Sequence, residues 1–459
     1  MKTYEIKPTF ENLLQTYVDN TIGRNDDVFR FTEILNSIDD SCAVALDGRW
    51  GSGKTFFVKQ TKMVLDAHNE HLTGMQSDDR KRILDVWNQH YTEADMELQP
   101  QVCVYYDAWE NDNDEDPMLS LVREIISGVD TDFSFKKNRN CLDAAAAVLE
   151  FFTGKKLNQL INALKSESPL DGLNSAKELE IKIQEFLDGL LPERGNRLIV
   201  MIDELDRCKP SYAIKLLERI KHYFSNERIT FVFSVNSCEL QKTIRSFYGD
   251  DFDACRYLDR FFSFRIALPP ADMRRYYRIM DFSEGQYWVD QVIGAVIKAY
   301  SFQLREISKY IPMVKSAVYD VTHGNRSYSF GFPKQQGELF GLWYIVPIML
   351  GLGMNNGEKY NDFISGRDYS PLLAVSQYFE DNFFSSLLDV SETFDEKDKH
   401  KQHVTVEDEL KQVYDAIFGN AFRNGVYTVS VGKLEFEEGV KETILRAAGL
   451  LSVYSNYTF

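Results

Sequence analysis

Apolar residues follow two different rhythms along this chain. Near the start they recur every three or four positions, at Phe10, Leu13, Leu14 and Tyr17 and then at Val28, Phe31, Ile34 and Leu35. That spacing lines one face of a helix, so residues 1–40 are expected to be helical. Four short runs then break the helical rhythm: Cys42–Leu46 (CAVAL), Val102–Tyr106 (VCVYY), Leu198–Ile202 (LIVMI) and Ile229–Val235 (ITFVFSV). Each is almost continuously apolar, as strands buried on both faces are, and the intervals between them leave room for crossover helices. Residues 1–272 therefore predict an α/β domain, a parallel sheet flanked by helices.

Beyond Asp272 the rhythm becomes helical throughout, as in Tyr287–Tyr310, which predicts a mainly helical lid or partner domain over residues 273–459. Thr322–Gly337, rich in Gly, Ser, Asn and Gln, reads as a loop within it. Helical insertions are expected near residues 69–100 and 141–195, the second carrying the apolar run Ala144–Phe152. The longest uncharged apolar stretch, Leu339–Met354, contains Pro347 and falls short of the roughly 20 residues that cross a bilayer. It reads as a buried helix, and a membrane partner is not expected.

Composition narrows the class. With 459 residues, 44% of them hydrophobic and 13% aromatic, the chain can fill large cores. A net charge of -18 argues against a broad basic surface for nucleic acid. The cysteines are scattered, with no CxxC pair, and read as small core residues; neither zinc nor disulfides are expected, and the compartment expected is a reducing cytoplasm. The first residues, MKTYEIKPTFENLL, do not have the pattern of a secretory signal. His400 and His403, spaced HKQH in a charged stretch, read as a solvated face.

The chemistry lies at the ends of the apolar runs. CAVAL leads into Gly48–Thr55, GRWGSGKT, and a helical pattern follows from Phe56. Strand, glycine-rich loop and helix in that order form a P-loop, whose backbone N–H groups wrap a phosphate where only glycine allows the approach. The expected contacts to a nucleoside triphosphate run through Gly48, Trp50, Gly51, Ser52, Gly53, Lys54, Thr55 and Phe56. Lys54 is expected to reach the β- and γ-phosphates and Thr55 to ligate Mg²⁺. The run LIVMI ends in Asp203 and Glu204: Asp203 is placed to hold Mg²⁺, and Glu204 is the candidate general base, with a helix-capping carboxylate as its plain alternative. At the end of ITFVFSV, Asn236 is the candidate γ-phosphate sensor and Ser234 its competitor.

Beyond the loop, the segments YYDAWENDNDEDPMLSLVREI, VMIDELDRCKPSYAIKLLERIKHYF, FVFSVNSCELQKTI and YLDRFFSFRIALPP resemble the KAP family of P-loop NTPases over roughly Asn20–Pro270. Trp50 inside the loop, the element Asp107–Glu110 and the run Asp203–Cys208 are more specific than the loop alone. The resemblance implies an ATPase core of the additional-strand class, similar to STAND and AAA+ ATPases, followed by a helical lid. It implies ATP as ligand, Arg24 close to the nucleotide, Asn236 at a sensor position, Arg260 or Arg265 as an arginine finger and Arg305 as a lid sensor. Each of these arginines, and Arg207, has a surface ion pair as its plain alternative. Many relatives carry membrane helices between the two phosphate-site motifs, whereas here that interval holds only the short 144–152 run. The acidic stretch Asn111–Asp116 reads as a solvated loop.

The resemblance thus implies an ATP-hydrolysing switch that assembles with itself or with an effector protein, in a setting of bacterial anti-phage defence. Its main rival is a regulator that binds nucleotide without hydrolysing it. A nucleic-acid motor is the third reading, opposed by the charge.

Overall fold

The structure is a computed structural model. It describes residues 5–72, 74–90, 98–114, 116–129, 176–191, 194–224, 226–283, 288–318, 333–379, 383–384, 387–388, 404–419, 421–422 and 426–449. The run at 144–152, Cys141, His400 and His403 lie outside these. The chain divides into two compact units, Ile6–Tyr276 and Tyr277–Phe459 together with Met1–Glu5.

The first unit is built on five strands: β1 (Cys42–Asp47), β2 (Gln101–Asp107), β3 (Arg197–Asp203), β4 (Ile229–Val235) and β5 (Phe264–Ala267). Every pairing is parallel, in the order β2-β3-β4-β1-β5, so β4 is interposed between the strand that feeds the phosphate loop and the strand that ends in Asp203. β3 and β4 are buried at every position, which is why their sequences are continuously apolar. β5 has no counterpart among the predicted strands. It is four residues long, lies at the sheet edge and exposes most of its side chains, so it lacks the apolar run by which the others announce themselves.

Alternation along the strands divides the core. Leu198, Val200 and Ile202 of β3 face the helices Pro117–Val129, Ala176–Leu190, Pro210–Tyr223 and Ser237–Tyr248. Ile199 and Met201 face the other layer, made of Phe10–Val18, Asn25–Asn36, Lys54–His68 and Ser77–His90. The segment expected as a charged insertion at 69–100 contributes to this second core, where Trp87 packs edge-on against Phe29 at 5.2 Å.

The second unit is mainly helical, with a small antiparallel hairpin of β6 (Thr428–Val431) and β7 (Leu434–Glu437). The stretch 287–310, expected as one helix, is two: Trp288–Ala299 and Leu304–Ala317. Ser301 turns the chain with φ of 53°, and Gln303 and Glu306 form a capping box that restarts it. Of the expected loop at 322–337, residues 322–332 lie outside the described residues, and from Pro333 the chain is helical. Gln336–Asn355 is long and apolar enough to cross a membrane by length and composition, yet 78% of its apolar window is buried inside the protein. Within it Pro347 cannot donate a backbone hydrogen bond, and one turn of π-helix precedes it, with Val346 N–H donating to the Gly341 carbonyl.

Two smaller expectations change. Cys42, Cys103 and Cys208 are buried, but Cys238 and Cys255 are exposed, so the latter two are not core residues. The acidic stretch 111–116 is not simply solvated: Asp116 is buried and pairs with Arg219 and Lys215, and Asp112 accepts a hydrogen bond from Lys209 N–H at 3.2 Å.

Candidate functional site

The site forms where β1, β3 and β4 end. Gly48 N–H donates to the Val235 carbonyl at 3.1 Å, which anchors the start of the loop to β4. A Cβ on Gly48 would sit 2.9 Å from Ser52 Oγ and 3.2 Å from the Lys54 side chain, so the loop closes this tightly only with glycine there. Gly53 has φ of 91° and is the N-cap of the helix Lys54–His68, with no side chain capping it. The first-turn N–H groups of that helix therefore face outward with the positive end of its dipole, an arrangement suited to an anion.

Lys54 is buried and its Nζ donates to the carbonyls of Gly48 at 2.6 Å and Arg49 at 3.3 Å. Burial lowers its pKa, and Asp206, Asp203, Glu204 and Asp47 act in the opposite direction. Thr55 Oγ1 donates to Asp203 Oδ2 at 2.6 Å, joining the loop helix to β3. Tyr105 Oη donates to the same oxygen at 3.0 Å, and Asp203 Oδ1 accepts the Glu204 backbone N–H at 3.0 Å. Sequence reasoning missed Tyr105. The signal was available in the alternation of β2, which puts Tyr105 and Asp107 on the side of the loop helix, with Asp107 in register with Asp203.

Glu204 occupies the left-handed region with φ of 59° and ψ of 22°. That conformation costs a non-glycine residue about 1–3 kcal/mol and is found where the surroundings impose it. Burial pushes its carboxyl up to about 7, aided by Asp203, while Arg207 opposes. Arg207 Nε lies 2.7 Å from Glu204 Oε2. Asp206, also missed by the sequence reading, is buried and accepts a hydrogen bond from the indole Nε1 of Trp50 at 2.5 Å.

At the end of β4 the two sensor candidates separate. The Asn236 side chain accepts the Glu239 N–H at 3.4 Å and caps the helix Ser237–Tyr248. Ser234 is fully buried, in register with Asp203 on one side and Leu46 on the other, and its Oγ has no hydrogen-bond partner among the described residues. The sequence profile of the KAP family P-loop domain matches residues 29–288, more than half the chain.

This chain belongs to the KAP family of P-loop NTPases.

Two solved structures are among those similar to the chain. One is the Aeropyrum pernix ORC2 protein in ADPNP–ADP complexes, 14% identical with a TM-score of 0.32, the match covering 86% of this chain and 93% of that one. The other is a Walker-type ATPase of Pyrococcus abyssi, 12% identical with a TM-score of 0.34, covering 97% and 100%. No curated protein matches the chain.

The remaining expected residues lie both inside and outside the matched KAP domain. Arg24 is buried; its guanidinium donates to the Ser52 carbonyl at 2.9 Å and the Pro269 carbonyl at 2.6 Å, and burial pushes its pKa down to about 10. It clasps the loop by its backbone. Phe56 packs into the core of the loop-helix layer. Arg260 is exposed and precedes β5 at the amino edge of the sheet, where Ser263 N–H donates to the Ala43 carbonyl at 2.8 Å, so the fold does not bring it to the phosphate loop of its own chain. Arg265 pairs with Asp259 at 2.6 Å. Arg305 belongs to the second unit, where it pairs with Glu5 at 3.2 Å.

The cradle fits a nucleotide and a hard divalent cation. The buried Ser52 Oγ has no partner among the described residues, the helix start is uncapped, and the oxygens of Thr55 and Asp203 already face each other. Mg²⁺ takes one or two such protein oxygens and completes its octahedron with phosphate and water.

Proposed function

We propose that this KAP domain binds ATP with Mg²⁺ and hydrolyses it, so that nucleotide state switches its engagement with further copies of itself or with an effector protein. The observation that carries the reading is the Thr55–Asp203 hydrogen bond beside a Glu204 held in a strained backbone conformation.

In this reading Gly51, Gly53 and the helix start bind the phosphates through backbone N–H groups, and Lys54 binds the β- and γ-phosphate oxygens. Thr55 Oγ1 and Asp203 hold Mg²⁺, which when bound neutralises charge on the phosphate oxygens. Tyr105 orients the Asp203 carboxylate. Glu204 takes a proton from the attacking water at its own carboxylate, and Ser234, at the floor of the site, is positioned to hold that water or sense the γ-phosphate. Arg260 serves a neighbouring copy as a finger, since its own site lies at the opposite edge of the sheet. Antiviral defence is the biological setting that the family resemblance suggests.

Glu204→Gln tests hydrolysis directly. Turnover is expected to fall about 100-fold or more with ATP affinity nearly unchanged, in line with the loss of a general base. Unchanged turnover would remove Glu204 from that role. A regulator that binds nucleotide without turnover is favoured by one observation, the Arg207 pairing that engages the Glu204 carboxylate. ATP binding without turnover, in the chain alone and with its assembly partners, would establish it.

A further inference from the structure

Three segments far apart in the sequence converge beside Glu204. Trp50 comes from the phosphate loop, Trp109 from the turn after β2, and Arg207 from the turn after β3. The Arg207 guanidinium lies 5.7 Å from the ring centre of Trp50 and 5.5 Å from that of Trp109. Both indoles remain about half exposed, at 44% and 52%. Large rings at a water-facing surface are held there by a specific contact, and a guanidinium against the electron-rich face of an indole is such a contact.

Each wall of this arrangement is fixed independently. Asp206 accepts the Trp50 indole N–H, which ties the loop to the residue next to Arg207. Ala108 N–H donates to the Asp203 carbonyl at 3.0 Å, which ties the turn bearing Trp109 to the end of β3. Arg207 then contacts Glu204 through Nε and Oε2 at 2.7 Å. Oε1 of Glu204 has no hydrogen bond to protein among the described residues, so one carboxylate oxygen is pinned while the other keeps its acceptor capacity. That is the division of labour a base needs when its direction matters.

We infer that Arg207, in cation–π contact with both Trp50 and Trp109, is the positioning residue that aims the Glu204 carboxylate, and that the loop's own tryptophan makes this aim depend on the loop's conformation. The inference rests on the reading of Glu204 as the base. Arg207 touches neither nucleotide nor water in this role; it acts through Glu204, and Trp50 transmits the state of the loop to it.

A double-mutant cycle on the full chain separates this from general damage. Arg207→Gln is expected to lower kcat on the order of 10- to 100-fold with KM for ATP unchanged, the scale of effect that misaiming a catalytic group produces. In the E204Q background the same change is expected to lower kcat no further, because residues that act as one unit are non-additive. Arg207→Lys keeps the charge but not the planar fork of the guanidinium, and is expected to recover only part of the loss. Trp109→Ala, a change at an exposed ring, gives a second route that does not threaten folding: a few-fold loss in kcat that also vanishes in the E204Q background. A loss equal in both backgrounds, a change in KM alone, or no loss at all overturns the inference. E204Q with full turnover would remove the base assignment and this inference together, whereas an R207Q loss that persists in E204Q removes this inference alone.

Discussion

At the carboxyl edge of the sheet, Asp203, Asp206, Lys54 and Ser234 are all buried, at 1%, 3%, 7% and 0% exposure. At the amino edge of the same strands no carboxylate is buried among the described residues: the buried polar groups include Gln101, Arg197 and Thr230, Arg260 is exposed, and a cavity of about 100 Å³ is lined by aromatic and aliphatic side chains together with Ser41, Lys221 and Ser263. The two edges share strands and differ in what terminates them. Helix N-termini and a left-handed residue at the carboxyl edge supply N–H groups that offset the cost of burying carboxylates. At the amino edge the buried charge is a cation, Arg197, whose guanidinium donates to the Asp40 carbonyl at 3.0 Å and to Thr230 Oγ1 at 3.2 Å. Buried carboxylates thus distinguish the edge of the proposed chemistry, while the exposed Arg260 at the other edge is available only to something outside that site.

The sharpest test of this contrast is Lys54→Ala. ATP affinity is expected to fall on the order of 100-fold or more, with turnover lost and the thermal midpoint retained, because a lone phosphate-facing cation is removed from a desolvated site. Retained affinity in an equilibrium binding measurement would mean that the buried edge is not the phosphate site.

Arg260→Ala probes the opposite edge. Turnover is expected to drop about tenfold or more in assembled protein and to stay constant in demonstrably monomeric protein, since a finger supplied in trans acts only on a neighbour. Equal loss in both preparations would collapse the distinction between the edges.

Smaller again is Tyr105→Phe. It removes one of two donors to Asp203 Oδ2 and leaves the Thr55 hydrogen bond in place. A few-fold loss in kcat and about 1 kcal/mol in stability are expected, the latter from denaturant unfolding.

Ile220→Ala should have the smallest effect on chemistry and a large one on folding. It truncates a buried aliphatic side chain beside the cavity at the amino edge, with an expected cost of about 2–5 kcal/mol and no change in turnover per folded molecule. If turnover fell instead, the two edges would be coupled.

The same contrast explains what could be read from the sequence. Gly48–Thr55 and the run ending in Asp203 were legible because the phosphate loop is a local structure, whose glycine spacing and flanking elements lie within one continuous segment. The central strands were legible because burial on both faces leaves an unbroken apolar run. β5 left no such trace. Tyr105 was legible only through the alternation of β2, and Asp206 and the Trp50–Arg207–Trp109 group were illegible for a different reason: their neighbours are fixed by turns after separate strands. Asn236 drew attention as the polar residue after an apolar run, whereas the alternation of Thr230, Val232 and Ser234 along β4 carried the information that Ser234 faces the loop helix. The break after Ala299 was hidden because Ser301, and no glycine, takes the left-handed turn.

The interposed strand has one more consequence. With β4 between them, β1 and β3 stand two ladder spacings apart, about 9–10 Å. Both ladders to β4 run nearly the full length of the strands, so this width cannot change without breaking rows of backbone hydrogen bonds at once. The strand ends that carry the loop and Asp203 are thus held at a fixed separation. Any adjustment falls to parts outside the ladders, the loop with Trp50 and the turns with Trp109 and Arg207, and these are the parts that meet near Glu204.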